Sequence, residues 1–349
     1  MTHGHTPPKL AGQNPVPNKK ISGRTRQARK ATRPASGSAT ATPHPMPLDA
    51  LIYPRFEGIP TFMRLPQISD PRALDVALVG VPFDGGTTFR PGARFGPRHI
   101  RVQSAMIRPY NPALDVNPFE RKRIGDFGDL PVNPLSLEDS YARIEKGIWP
   151  ILEAGTTPVS VGGDHSITLP LLRAVARKHG PLALVQVDAH SDTWSTYFGS
   201  HHSHGTIVRR GIEEGVLARG AVLQVGIRGQ VYGNDDFDFS RRHGISWITA
   251  EQFHHEGLAA VQPKLAGLRS RPCYLTFDID SVDPAFAPGT GTPQVGGLSS
   301  AQALELVRAL RGLRLVGADL VEVSPPYDSS ELTSLLAANL LFEILCLLA

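Results

Sequence analysis

Eight short apolar runs, most of them separated by stretches long enough for a helix, constrain this chain more than any other feature. The runs are Leu74–Val81, Arg123–Asp126, Thr157–Val161, Leu182–Val187, Val222–Gly226, Ile245–Ile248, Cys273–Phe277 and Leu315–Val323. Helix-length stretches fall at Pro97–Met106, Leu137–Ala154, Ile167–His179, Thr206–Gly215, Asp236–His243, Ala250–Leu268 and Ser300–Leu310. Strands joined through helices imply a parallel sheet. Runs without polar alternation imply that both of its faces are covered. The pattern predicts an α/β fold with three αβα layers around a mostly parallel eight-stranded sheet. A last apolar run, Leu332–Ala349, contains Thr333, Ser334, Asn339 and Glu343. It predicts a buried final helix rather than a membrane span.

Ligands of such sheets bind beyond the carboxyl ends of the strands, and acidic residues gather there. Val185-Gln186-Val187 leads directly into Asp188-Ala189-His190-Ser191-Asp192. Side chains two apart share one side of an extended chain, so Asp188, His190 and Asp192 can converge at one strand end. Phe277-Asp278-Ile279-Asp280 repeats the device, and Gly162-Gly163-Asp164-His165 adds a tight turn and a second His. Asp126 and Glu322 fall at strand ends as well. Alone, an Asp after a strand is more often a helix cap, and a lone His is more often a hydrogen-bonded bystander. It is the coincidence of D-x-H-x-D, D-x-D and G-G-D-H that points to metal, and the number of ligands points to two ions. Carboxylates and imidazoles without thiolates suit Mn²⁺ and accept Co²⁺ or Ni²⁺. Two such ions activate water near neutral pH. The surrounding carboxylates favour a cationic electrophile.

Charge is distributed unevenly. The net charge is +4, yet residues 1–48 hold eight Lys or Arg and no Asp or Glu, so the remainder carries −4. Rich in Pro, Ser, Thr and Ala and poor in large apolar residues, this stretch predicts a disordered basic tail. The remainder, 49–349, shows no internal repeat or linker and predicts a single catalytic domain. A solvated leader is the reading preferred for the tail over a nucleic-acid or acidic-surface contact. It lacks the apolar region of a signal peptide, and a cytoplasmic protein is expected. Cys273 and Cys346 lie in apolar segments, so no disulfide framework follows. Gly289-Thr290-Gly291 is not a dinucleotide fingerprint, and no phosphate-binding G-x-x-x-x-G-K-[ST] occurs.

Several motifs together resemble the ureohydrolase family of arginases, agmatinases and related guanidino-hydrolases. They are Gly162-Gly163-Asp164-His165-Ser166, Asp188-Ala189-His190-Ser191-Asp192, Phe277-Asp278-Ile279-Asp280-Ser281-Val282-Asp283-Pro284, Gly289-Thr290-Gly291-Thr292-Pro293 and Glu322-Val323-Ser324-Pro325-Pro326-Tyr327-Asp328. The resemblance spans about residues 52–349 and implies an arginase-like fold. It implies that His165, Asp188, Asp192 and Asp278 hold one metal ion. His190, Asp188, Asp278 and Asp280 would hold the other. His204 would move protons, and Glu322 would pair with a guanidinium. Asp192 thereby also belongs to the catalytic set. The product would be urea plus an amine, and the assembly a homo-oligomer, a trimer or hexamer, with a hetero-oligomer as the alternative.

Arginases carry an Asn two residues beyond D-x-H-x-D, where this chain has Trp194, a departure that argues against arginine. The substrate expected is agmatine or 4-guanidinobutanoate. Free guanidine or an N-alkylated guanidine or biguanide with Ni²⁺ is the alternative. Trp194 and Tyr197 are candidates for facing a ligand cation or for shortening the pocket. His201 and His202 read as loop-surface histidines. A metal-dependent deacetylase shares the broad fold, but the paired acidic motifs speak against it.

Overall fold

The computed structural model describes residues 44–233 and 235–349. Eight strands form one sheet: β1 (Val76–Val81), β2 (Ile124–Asp129), β3 (Thr157–Gly162), β4 (Leu182–Val187), β5 (Leu217–Ile227), β6 (Ser246–Thr249), β7 (Pro272–Asp278) and β8 (Arg314–Val321). Their order is β2-β1-β3-β8-β7-β4-β5-β6, and every pairing is parallel. All eight runs read from the sequence are strands, and the sheet is wholly parallel rather than mostly so.

Both faces are covered, and β4 shows how. Ala183, Val185 and Val187 enter one core together with Phe253, Val307 and Leu340. Leu182 and Leu184 enter the other with Ile144, Leu172 and Val175. Alternation along a single strand thus feeds two apolar layers, each closed by helices, and this is why the run lacks a polar face.

The helices follow the sequence with two differences. Ala250–Leu268 is two helices, Ala250–Glu256 and Leu258–Ala266. They break at Gly257, whose φ of +57° leaves the helical region. A short helix, Pro118–Arg121, carries no periodic signal and is set by its Asn117 cap. The final helix, Leu332–Leu348, is buried, and Arg308 and Asn111 satisfy its Glu343. Among the described residues no helix is long and apolar enough to cross a membrane. The expected disordered tail over residues 1–48 lies almost entirely outside the described residues.

The strands that end in His165, Glu322, Asp278 and Asp188 are β3, β8, β7 and β4, four consecutive positions in the sheet. Their carboxyl ends form one continuous rim, and the fold gathers these residues there. Asp126 does not join them. Strand β2 runs on to Asp129, so Asp126 sits inside it, where its carboxylate takes the Arg101 guanidinium and the Phe62 amide.

Candidate metal centre and active site

Each side chain of the rim is aimed by a short local device. After β3 the chain turns so tightly that a Cβ on Gly163 would stand 1.7 Å from the Phe83 carbonyl oxygen, so only glycine fits there. Asp164 then caps the turn. It accepts the Ser166 amide at 2.8 Å and the Gly86 amide at 2.7 Å, which leaves His165 to project over the rim. Asp164 is therefore a positioning group rather than a ligand. Beyond β4, Asp188 accepts the His190 amide at 2.7 Å. Asp192 adopts φ +50°, a strained conformation for a non-glycine residue. Beyond β7, Asp278 accepts the Asp280 amide at 2.8 Å.

His165 Nδ1 lies 3.1 Å from Asp188 Oδ2, 3.0 Å from Asp192 Oδ2 and 3.2 Å from Asp278 Oδ2. His190 Nδ1 lies 3.0 Å from Asp280 Oδ2 and 3.6 Å from Asp188 Oδ1. Two groups able to hold a cation result, one of His165, Asp188 and Asp192, the other of Asp188, His190 and Asp280, with Asp188 common to both. Asp278 stands against the first group through Oδ2.

Burial and the charges of Asp280 and Asp188 push the Asp278 carboxyl well above its usual range. Burial and Asp188 push Asp192 up to about 6. Burial works against the charge on Asp188 as well, but the two histidines beside it outweigh that and hold its carboxyl below the usual range. Burial works against charge on His165 and His190 too, but the surrounding carboxylates raise both well above normal. Carboxylates crowded this closely call for positive charge between them. His165 Nδ1, buried and without a hydrogen-bond partner among the described residues, is the donor left free for it. The residues present therefore fit a pair of divalent ions.

Residues not singled out in the sequence support these ligands. Thr276 donates to Asp319 at 2.5 Å and so presents its lone pair to His165 Nε2 at 2.8 Å. The ring proton is thereby held at Nε2, and Nδ1 stays free. Gln186 donates to Asp188 at 2.6 Å and to Asp192 at 3.1 Å, and Gln224 orients Gln186 at 2.7 Å. Arg228 donates to the carbonyl oxygens of Asp280, Ser281 and Gln294 and stitches the segment after β7. Only alternation along the strand could have hinted at Gln186 and Thr276. They are polar residues inside otherwise apolar runs.

Glu322 and His204 stand together. Glu322 follows β8 at φ +66°. Its Oε1 accepts the His165 amide and His204 Nδ1, each at 2.9 Å. Its Oε2 is buried and has no partner among the described residues. The Thr88 amide points at His204 Nε2 at 3.2 Å and the Thr88 hydroxyl lies 2.7 Å from it, so Nε2 accepts and Nδ1 carries the proton toward Glu322. Burial opposes a charge on His204, but the Glu322 contact raises its proton affinity above normal.

A cavity of about 70 Å³ opens onto this rim, lined by Thr88, His165, His190, Asp192, Trp194, Tyr197, His204, Gly205, Asp278 and Thr292. Trp194 and Tyr197 meet edge to face at 6.2 Å, and Tyr232 backs Trp194 at 5.3 Å. His201 and His202 stay outside: His201 bonds the Ser195 carbonyl and His202 packs on Tyr141.

The chain matches the arginase family model over residues 74–347. It is 54% identical over 311 residues to a guanidinopropionase of Pseudomonas aeruginosa, covering 88% of this chain and 96% of that protein. It is 50% identical over 309 residues to a guanidinobutyrase of the same organism, covering 86% and 96%. The solved proclavaminate amidino hydrolase of Streptomyces clavuligerus superposes with a TM-score of 0.80 at 42% identity, over 84% of this chain and 98% of that one. The motifs at four neighbouring strand ends and these likenesses agree, and the chain belongs to the arginase family.

Proposed function

We propose that the protein hydrolyses the guanidino group of a small guanidino acid, 3-guanidinopropionate or 4-guanidinobutanoate, giving urea and the corresponding amino acid. The observation that carries this is the unpartnered Oε2 of Glu322, a buried carboxylate oxygen beside the acidic rim. A guanidinium supplies planar N–H donors for such an oxygen. The likeness to a guanidinopropionase and a guanidinobutyrase supports a guanidino acid.

His165, Asp188, Asp192 and Asp278 would hold one divalent ion and His190, Asp188, Asp278 and Asp280 the other. Mn²⁺ is the choice this donor set favours, with Co²⁺ and Ni²⁺ as alternatives. Bound ions supply Lewis acidity and lower the pKa of water. Glu322 orients the guanidinium so that its carbon faces the rim. His204 holds Glu322 through Nδ1 and takes up or returns a proton at Nε2 while the carbon–nitrogen bond to the leaving amine breaks. Trp194 and Tyr197 wall the cavity and exclude water.

Agmatine is a second reading. No Lys or Arg is among the described residues that line the cavity, so no fixed cation meets a substrate carboxylate there, and the rings of Trp194 and Tyr197 suit a second cation. A homo-oligomer, a trimer or hexamer, completes the reading. Urea release from 3-guanidinopropionate, 4-guanidinobutanoate, agmatine and arginine, with Mn²⁺ and with Ni²⁺, tests it. No urea from any of them with either ion would refute it.

A further inference from the structure

The strap that follows β1, Asp84-Gly85-Gly86-Thr87-Thr88-Phe89-Arg90-Pro91-Gly92, is tied down at its ends and in its middle. Asp84 closes it by accepting the Gly92 amide at 2.7 Å and pairing with the Arg94 guanidinium. The Gly86 amide donates to Asp164 at 2.7 Å, and the Gly86 carbonyl takes the His204 amide at 3.0 Å. A Cβ on Gly86 would stand 2.5 Å from the Ser166 side chain, so glycine lets the strap lie this close to the turn that projects His165. Two adjacent hydroxyls, Thr87 and Thr88, are thereby held in place between His204 and the rim.

Thr88 lines the active-site cavity. Its hydroxyl lies 2.7 Å from His204 Nε2, and its amide donates to the same atom at 3.2 Å. A neutral imidazole nitrogen has a single acceptor lone pair. His204 is only 8% exposed, and its Nδ1 is committed to Glu322 Oε1. The lone pair that would take up a proton is therefore already occupied, and the group at hydrogen-bond distance from it is the Thr88 hydroxyl. Thr87 places the substrate on the same strap. Its Oγ1 is buried and has no partner among the described residues. It shares the space in front of Gly291 with Glu322 Oε2 and the Arg90 carbonyl: a Cβ on Gly291 would stand 3.2 Å from Oε2, 3.2 Å from the Arg90 oxygen and 3.9 Å from Thr87 Oγ1. A guanidinium held by Glu322 Oε2 thus lies against the residues that flank Thr88.

We propose that Thr88 is a catalytic residue, whose hydroxyl relays the proton between His204 Nε2 and the reacting guanidino group. The inference rests on the guanidine-hydrolysing reading and deepens it. The water that adds to the guanidino carbon gives a proton to Thr88 Oγ1, while Oγ1 passes its own hydrogen to Nε2. The carbon–nitrogen bond to the leaving amine then breaks, and its electron pair stays on that nitrogen. Nε2 returns its hydrogen to Oγ1, and the hydrogen already on Oγ1 goes to the leaving nitrogen. Hydroxyl and imidazole end as they began. The Thr88 amide, aimed at Nε2, opposes a hydrogen there and so favours the return.

The test is steady-state urea release by the full-length, metal-loaded protein on whichever of 3-guanidinopropionate, 4-guanidinobutanoate and agmatine wild type turns over best. Thr88→Val keeps the backbone amide and the branched shape but loses the hydroxyl. It should lower kcat about a hundredfold and leave KM, metal content and thermal midpoint near wild type. Thr88→Ala removes the same hydroxyl without a branched replacement and should fall as far. Thr88→Ser keeps the hydroxyl and should recover most of kcat. In a His204→Asn background Thr88→Val should cost little more, because the two groups act in one step. A kcat near wild type in Thr88→Val or Thr88→Ala would overturn the relay. So would an equal loss in Thr88→Ser, a loss that adds fully to that of His204→Asn, or a loss that tracks a fall in metal content or thermal midpoint. No urea from wild type on any of the three would refute the catalytic reading and the relay with it, whereas an active wild type with an indifferent Thr88→Val refutes the relay alone.

Discussion

Replacing Glu322 by Gln isolates the interaction on which the substrate reading turns. The side chain keeps its shape. Its Oε1 already takes two donors, the His165 amide and His204 Nδ1, so the amide oxygen of the substituted side chain has to occupy that place. The new NH₂ group then falls where the free Oε2 stood and presents donors to the guanidinium's own donors. One charge-assisted contact is lost and a donor–donor opposition is gained in a buried setting. Truncating one partner of a buried charge pair costs roughly 2–5 kcal/mol, which corresponds to about 30-fold to several thousand-fold in kcat/KM. Urea release with 3-guanidinopropionate or 4-guanidinobutanoate measures it. Metal content and thermal midpoint are recorded on the same sample. The expected result is a fall in kcat/KM of at least about 30-fold, with bound metal retained, because Glu322 is not among the ligand groups. A variant close to wild type in kcat/KM would show that Glu322 does not hold the substrate. A variant that loses its metal would show that Glu322 serves the ligands instead.

Three further outcomes follow from the same geometry. Asp278→Asn should lose bound metal and nearly all turnover, read by elemental analysis and urea release; full activity would refute the two-ion assignment. Trp194→Ala should change the ratio of activity on 3-guanidinopropionate, 4-guanidinobutanoate and agmatine, and an unchanged ratio would make Trp194 a packing residue. The third concerns pH. Asp164 and Asp192 are both pushed up to about 6, chiefly by burial, so the folded chain binds their protons more tightly than the unfolded chain does. Their contribution is full below about pH 4 and is lost as pH rises through about 6. The thermal midpoint of chelator-treated protein should therefore fall between about pH 4 and 6, and Mn²⁺ at the upper end of that window should restore it. A midpoint that rises over that window without metal would refute the assignment.

What can be read from the sequence divides along physical lines. Strands announce themselves when both faces are buried, and Leu182–Val187 is delimited to the residue because no polar side chain interrupts its ends. The D-x-H-x-D and D-x-D patterns are legible because a period of two is fixed by the extended chain. Asp126 is misplaced by sequence reasoning because nothing local says that β2 continues to Asp129; its partners Arg101 and Phe62 are distant in sequence. Ala250–Leu268 reads as one helix because a single Gly257 is weak punctuation. Thr276, Asp319 and Thr88 act through contacts that span 43 to 116 residues, and no spacing rule reaches that far.

The strain in the site has a distribution that bears on mechanism. Asp192 and Glu322 both adopt positive φ; Asp192 lines the cavity, and the two follow β4 and β8, on either side of β7 in the sheet. A non-glycine residue there costs about 1–3 kcal/mol, and rigid parallel strands beneath can hold it, since each is paired on both sides. In relaxed extended backbone, Glu322 would alternate with Val321 and point to one face of the sheet rather than over the rim. The left-handed turn re-aims it, and the bond from its amide to the Gly163 carbonyl at 2.8 Å ties it to the same glycine turn that projects His165. One turn therefore sets the position of a metal-ligand candidate and of the proposed guanidinium partner together. Any substitution that relaxes Gly163 should displace both at once, so loss of metal and loss of guanidinium recognition should be inseparable at that position, whereas Glu322→Gln separates them.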